Sequence, residues 1–416
     1  MDDPVMLFSG VLFFLLFLIL AFMFAVVTVA FFVRKRWPAA HEPSVSVIIP
    51  AFNEEKTIGP CLEALRKSDY PRDKVEIILV DDGSTDGTID IAEKFGGIKI
   101  AKQHHGGKVA ALNLGLSEAK SEIIITIDSD VKVESNFIKN IVRPFSDSKV
   151  GAVSGAAKAA NDNKMLTAFQ AIEYVYHSLV MDSFSAVFGT SFWFWGAVAS
   201  YRKESLDRAG GFSSSTSSED LDMVVNIKKA GYKTLSVGNA AGRTFVPDGI
   251  RSLFRQRIRW WKGTLQMMRK NRDMFRPSQG MTLMFFFLSQ LFWIIFSFLA
   301  IPLITYQVFY WLPYNMASAS DVFLYLFRWF NITGPFYALY MIPQWGINPL
   351  SIFGILSGVM SLVMMIFAFA FFREKITVRK ALGIFFYFPY TLLMNVMIMA
   401  GALEYALNRG KGTFIK

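Results

Sequence analysis

The stretch Val75-Glu76-Ile77-Ile78-Leu79-Val80-Asp81-Asp82-Gly83-Ser84 sets the architecture of this chain. Val75 to Val80 is a short apolar run of the kind that forms a buried strand, and the Asp-Asp-Gly-Ser that follows it is turn chemistry. Two carboxylates therefore emerge at the C-terminal end of a strand. Working outward, Val45 to Pro50, Ile98 to Ala101 and Ile123 to Ile127 read as further buried strands. Thr57 to Ser68, Gly87 to Phe95 and Lys108 to Ala119 read as the helices between them. This βαβ alternation predicts an α/β domain on a mainly parallel sheet, with functional loops where the strands end.

The flanks have a different solvent. Val5 to Val33 carries no charge and exceeds the roughly 20 residues that cross a bilayer. Asp2 and Asp3 precede it and Arg34, Lys35 and Arg36 follow, the reverse of a cleaved signal peptide, so it reads as an anchor with its C-terminal end in the cytoplasm. Met281 to Tyr306, Leu350 to Phe372 and Leu382 to Leu407 read as further spans. Val322 to Ile342 contains Arg328, Asn331, Gly334 and Pro335; reading it as interfacial leaves the basic loop Arg373 to Lys380 on the cytoplasmic side. Asn163 to Phe188 is helical in spacing, suited either to the membrane mouth or to the soluble core. Arg251 to Phe275 is basic and amphipathic, as an interface helix would be. The expected organisation is an anchor at 1–36, a cytoplasmic domain at 43–250, an interface region at 251–280 and a membrane region at 281–416, in a multi-pass protein of the cell membrane. No internal repeat suggests a two-halved transporter.

The formal net charge is +10, yet no nucleic-acid motif or Lys/Arg-rich arm accompanies it. The positive residues gather at 34–36, 251–276, 373–380 and 409–416, beside membrane boundaries, which points to lipid headgroups and phosphorylated substrates rather than nucleic acid. The single cysteine, Cys61, excludes an intrachain disulfide framework.

Three acidic motifs carry the chemistry. Asp81 and Asp82 can accept hydrogen bonds from a base or ribose, or simply form a turn and cap. Asp128-Ser129-Asp130 ends a second buried strand and points two carboxylates into one volume, a donor set for Mg²⁺ or Mn²⁺ bridged to a diphosphate. Ser218-Glu219-Asp220 opens a helical segment, where a carboxylate can cap the helix or remove a proton from a hydroxyl. Gly106-Gly107-Lys108 offers backbone N–H groups and an ammonium to an anion, though it is equally a plain turn. His104 and His105 lack partners for a zinc site and read as loop residues. Gln256-Arg257-Ile258-Arg259-Trp260 combines guanidinium forks, which bind phosphate, with an indole that stacks on a sugar; a basic helix lying on anionic lipid is the competing account.

In their order along the chain, Asp81-Asp82, Asp128-Ser129-Asp130, Glu219-Asp220 and Gln256 to Trp260 resemble the family 2 glycosyltransferases, in particular the processive membrane branch of cellulose, chitin, hyaluronan and poly-N-acetylglucosamine synthases. The layout is most similar to the last of these, over about Val45 to Gly263 and the flanking helices. The resemblance implies a GT-A (Rossmann-like) domain in which Asp81, Asp82 and Lys108 hold the nucleotide and Asp128 and Asp130 serve nucleotide and metal. It implies Asp220 as catalytic base beside Glu219, Gln256, Arg257 and Arg259 near the pyrophosphate, and Trp260 stacking on the acceptor. Phe192 to Ala197 resembles the segment that lines the acceptor site. The implied activity is polymerisation of a UDP-linked sugar such as UDP-GlcNAc or UDP-Glc into a β-linked polysaccharide, with inversion, and its passage through the helices. Transfer of one sugar to a lipid acceptor is the alternative, and an export component with a degenerate domain a more distant one. The sequence departs from the family in Ser218, where Thr is usual, and it shows no C-terminal domain of the kind that binds a cyclic dinucleotide.

Overall fold

The computed structural model describes residues 3–35, 37–275, 281–310, 312, 318–347 and 349–408. Arg36, Trp311, the end of the interface region at 276–280 and the basic tail 409–416 lie outside the described residues. After a long N-terminal helix, α1 (Pro4–Val33), the expected alternation follows: β1 (Val45–Ala51), α2 (Ile58–Arg66), β2 (Val75–Asp81), α3 (Thr88–Glu93), β3 (Ile98–Lys102), α4 (Lys108–Glu118) and β4 (Ile123–Ile127). β1, β2, β3 and β4 pair in parallel, with Val45 opposite both Val75 and Ile123, so their C-terminal ends share one edge. Val47, Ile49, Leu79, Ile123 and Ile125 pack one face and Ile48, Ile78, Val80 and Ile124 the other, which is why these strands read as continuous apolar runs.

Beyond β4 the sheet is mixed. β5 (Lys132–Val133), α5 (Phe137–Val142), β6 (Val150–Ala159), α6 (Met165–Phe188), β7 (Val198–Arg202), α7 (Lys203–Ala209), α8 (Glu219–Lys229) and β8 (Lys233–Thr244) complete an eight-stranded sheet in the order β3-β2-β1-β4-β7-β6-β8-β5. β6 and β8 pair in parallel, so parallel pairings prevail in the sheet as expected, while β7 runs antiparallel to β4 and β6, and β5 antiparallel to β8. β6 escaped the reading because Gly, Ala and Ser dominate it and the β-branched signal is weak. Those small residues answer to crowding: a Cβ at Gly155 would lie 2.5 Å from the Ala240 carbonyl oxygen of β8.

The membrane-side elements are α9 (Ile250–Lys270), α10 (Met281–Tyr310), α11 (Ala319–Trp329), α12 (Gly334–Trp345), α13 (Pro349–Phe371), α14 (Val378–Phe385) and α15 (Tyr387–Leu407). Among the described residues four helices are long and apolar enough to cross a membrane: α1, α10, α13 and α15. The expected single span Leu382 to Leu407 is instead two helices broken at Phe386. Pro389 has no N–H to donate to Phe385, four residues earlier, and disfavours a continuous helix there. The freed Phe385 carbonyl accepts from Ile332 N at 2.9 Å, and Ile332 lies in the break between α11 and α12 that divides Val322 to Ile342. Each break thus satisfies the other's backbone.

Both readings of Asn163 to Phe188 hold. α6 lays Val175, Leu179 and Phe184 against Met364, Met365 and Phe369 of α13 and Val26 and Val27 of α1, while Ala171 and Tyr174 join the core of the sheet. The C-cap of α1, Arg34, pairs with Asp182 near the C-terminal end of α6 at 2.5 Å and lies 4.0 Å over Phe371 of α13.

Candidate active site

β4 delivers Asp128 and Asp130 to the sheet edge, and α4 delivers Lys108, whose Nζ sits 2.7 Å from Asp128 Oδ1 and 3.0 Å from Glu219 Oε1. Burial opposes the charge on Lys108, but Asp128, Glu219 and Asp220 outweigh it and hold its pKa above the ordinary value. Asp130 Oδ2 accepts from Thr244 Oγ1 at 2.9 Å, yet burial and then Asp128 push its pKa up to about 6. Excess negative charge in a poorly solvated place is what a divalent cation would relieve. Among the described residues no group of three or more His, Cys, Asp or Glu could cage a metal. Two carboxylates suffice for Mg²⁺ when substrate phosphates complete the set, so Asp128 and Asp130 fit the role expected of them.

Glu219 and Asp220 form the first turn of α8, whose N-cap Ser218 makes no side-chain capping bond. Asp220 Oδ1 accepts from Leu221 N at 2.8 Å and Oδ2 from Gly196 N at 3.1 Å. Burial and the adjacent Glu219 raise its pKa to about 6. Glu219 moves the other way: burial works against its charge, but Lys108 holds it below the ordinary carboxylate value. One carboxylate of the pair is thus kept ionised while its neighbour is poised to take or release a proton. Gly196 permits this contact, since a Cβ there would stand 2.5 Å from Asp220 Oδ2. From the other side α9 grips the same loop. Gly263 passes so close that a Cβ would collide with Ser218, Gln266 Oε1 accepts from Ser217 N at 2.8 Å, and Lys270 Nζ lies 2.8 Å from Asp222 Oδ2.

The motif Gln256 to Trp260 divides its labour. Arg259 is exposed and its charge favours ionisation of Glu219 and Asp220. Arg257, expected near the pyrophosphate, is only 3% exposed; it lines the cavity and pairs with Glu173 of α6. Its Nη2 donates to Glu173 Oε2 at 2.8 Å, its guanidinium lies 4.3 Å over the Trp260 ring, and the same Glu173 oxygen accepts from Tyr390 of α15 at 2.5 Å. The Trp260 indole stands 6.5 Å from Tyr174 and 6.2 Å from Trp195, which are themselves 4.7 Å apart. Glu173, Tyr174 and Tyr390 were not read as site residues: α6 was legible only as a helix, and no local motif marks them. Trp195 lies in the segment read as acceptor-lining without a role of its own.

A cavity of about 940 Å³ joins these groups. Lys108, Asp128, Asp130, Glu219, Asp220, Gln256, Arg257, Arg259 and Trp260 line it together with α6, the 193–197 segment and residues of the membrane-side helices α1, α10, α12, α13, α14 and α15. Asp81 and Asp82 are not on its wall. Asp81 Oδ1 accepts from Ser84 N at 3.0 Å. The Asp82 carboxylate accepts from Gly106 N at 2.7 Å, Gly107 N at 2.9 Å and Gln103 Nε2 at 2.6 Å, and lies 2.8 Å from His105 Nδ1. The anion held by the glycine pair is therefore the protein's own, and Asp82 fixes the loop that leads into Lys108.

Residues 43–263 match the family model described as glycosyltransferase like family 2. The chain is 32% identical over 238 residues to the probable glycosyltransferase YdaM of Bacillus subtilis, covering 53% of this chain and 55% of that protein. It is 26% identical over 230 residues to a poly-beta-1,6-N-acetyl-D-glucosamine synthase of Staphylococcus epidermidis, covering 53% and 54%. The chain spans about half the length of the curated relatives it matches. Among solved structures, the mannosyltransferase PcManGT from Pyrobaculum calidifontis, in complex with GDP-Man and Mn²⁺, shares the fold over 96% of this chain and 99% of that one, with TM-score 0.58 and 20% sequence identity.

Proposed function

The chain belongs to glycosyltransferase like family 2, its soluble part is a GT-A domain, and we propose that it is an inverting hexosyltransferase that extends a β-linked polysaccharide within a membrane. The observation that carries this reading is the continuity of one cavity from Asp220 to the apolar helices. An acceptor whose end reaches Asp220 would have its body among α10, α13 and α15.

Asp220 Oδ2 would accept the proton of the acceptor hydroxyl as that oxygen attacks the anomeric carbon, and the bond to the nucleotide diphosphate breaks on the opposite face. Asp128 and Asp130 would hold Mg²⁺ or Mn²⁺, which supplies charge neutralisation for the diphosphate. Lys108 bridges the Asp128 and Glu219 carboxylates, and Arg259 brings a second cation to this end of the cavity. Gln256 shares the wall, while Arg257 holds the Trp260 indole for the acceptor. Asp81 and Asp82 act on the nucleotide through the loops they order. N-acetylglucosamine as the transferred sugar is favoured by the name of the Staphylococcus relative, and the resemblance implies UDP as its carrier. The basic residues Arg34 and Lys35 and the loop 373–380 support a cytoplasmic side for the domain in this reading.

A single transfer to a lipid acceptor is the competing reading, favoured by Phe13, Leu16, Leu20 and Met23 of α1 on the cavity wall. Purified full-length protein in lipid, given Mn²⁺ or Mg²⁺ and radiolabelled nucleotide sugars, separates the two. Long labelled chains support polymerisation, and one labelled sugar on a lipid overturns it. Absence of nucleotide release would leave neither.

A further inference from the structure

His177 lies on α6 one turn beyond Glu173 and Tyr174, on the same face, and lines the same cavity as Asp220. Its side chain is exposed although it belongs to a helix wrapped by sheet and membrane helices, so what it is exposed to is the cavity. Among the described residues its ring nitrogens have no hydrogen-bond partner; its neighbours are aromatic rings, Trp195 at 6.5 Å and Tyr176 at 6.1 Å. A histidine that merely fills a core is ordinarily satisfied by a neighbour, because an unpaired polar group away from bulk water is costly. This one has no such neighbour among the described residues and lines an internal space.

The order of groups along the wall gives that space a meaning. Gly196 N touches Asp220, and the adjoining Trp195 is fixed by two bonds, its N to Ser154 Oγ at 2.9 Å and its Nε1 to Ser178 Oγ at 3.1 Å. His177 comes next, beyond the Trp195 ring. Trp195 and Trp260 offer flat faces for the sugar whose hydroxyl reaches Asp220. Burial pushes the His177 pKa below its ordinary value, so at neutral pH the imidazole is neutral and offers one donor and one acceptor. That pair suits sugar hydroxyl or amide groups and offers nothing to a hydrocarbon chain.

Resting on the polymerising reading above, we propose that His177 is the polar contact of a second acceptor subsite, one sugar residue beyond the Trp195–Trp260 platform, which makes acceptors of two or more units better substrates than one. The test uses the full-length protein in lipid, with UDP-GlcNAc as donor and β-linked N-acetylglucosamine acceptors of one to four units. The readout is the ratio of kcat/KM for the two-unit acceptor to that for the one-unit acceptor. We expect the native ratio to drop about tenfold in His177→Leu, the order of one good hydrogen bond, and His177→Gln to recover most of it. A native ratio retained in His177→Leu overturns the subsite alone. A native protein with no step between one and two units likewise overturns the subsite alone, whereas one that labels only lipid overturns the polymerising reading on which the subsite depends. Thermal unfolding of each variant separates misfolding from lost recognition, and His177→Phe, which keeps a ring without a donor or acceptor and should lose the ratio as the Leu variant does, carries the test if the Leu variant does not fold.

Discussion

Asp220 sits where a carboxylate resists ionisation, and that is what lets it act as a base near neutral pH. Burial and Glu219 raise its pKa to about 6, so the form that accepts a proton accumulates only above that pH. The acid limb of kcat should therefore rise through about pH 6, and a limb near pH 4 would remove the assignment. Asp220→Asn should lower kcat by roughly 10²–10⁴. Donor binding, followed by calorimetry, should be retained. Glu173 makes a second prediction. Removing its charge as Glu173→Gln strands Arg257 in a buried place, which costs on the order of 3–5 kcal/mol of stability. It should also loosen Trp260, so acceptor KM should rise more than donor KM; equal rises would argue that Arg257 touches the donor after all. At this scale the sequence was legible in placement: two strand-end carboxylates, Asp128 and Asp130, and two at a helix start, Glu219 and Asp220, do line one cavity. The partners of Arg257 stand on α6 and α15, where no local pattern could show them. The same holds for Asp82, whose carboxylate meets Gly106 and Gly107 only once β2 and β3 lie side by side.

α9 is the element on which the site depends, because one helix presents Arg259 and Trp260 to the cavity and grips the Ser217 to Asp222 loop from behind. Lys270 is its outermost grip, with bonds to both Asp222 oxygens and to Ser215 Oγ. Asp222 is fully buried, so Lys270→Met leaves a carboxylate without its cation. The expected loss is about 1–3 kcal/mol of stability, with a fall in kcat that exceeds the change in donor KM, since Asp220 shares the helix turn. Lys270→Arg should restore most of both; a variant as inactive as the Met form would show that the exact amine geometry matters instead. The sequence made α9 legible through its basic, amphipathic spacing. It hid β6 and β7, whose small or mixed residues carry little strand preference, and the break at Phe386, which only the packing of two helix ends against each other makes affordable. Apolar length reports that a segment can enter a membrane and says little of where its backbone turns aside.

The whole molecule joins its two solvents through shared side chains rather than a linker. Arg34 of the anchor reaches Asp182, Lys262 of α9 stands 3.3 Å from Glu404 of α15, and Tyr390 reaches Glu173. Such a joint keeps the cavity continuous, and continuity is what distinguishes a polymer's route from a pocket for one lipid. Gly354 of α13 allows a direct trial. It lines the cavity far along the chain from the acidic motifs, and a Cβ built on it meets nothing within 4 Å. A large side chain can therefore enter the space without forcing the backbone, and replacing glycine inside a helix is favourable by up to about 1 kcal/mol. Gly354→Phe should shorten the product sharply while the first transfers onto a short acceptor proceed, because the obstruction is met only once the chain has grown past the aromatic platform. Gly354→Ala, which adds too little to obstruct, should give native lengths. Product sizing by gel filtration decides the matter: full-length polymer from the Phe variant would mean that the product leaves by another way and that the cavity serves the acceptor's end alone.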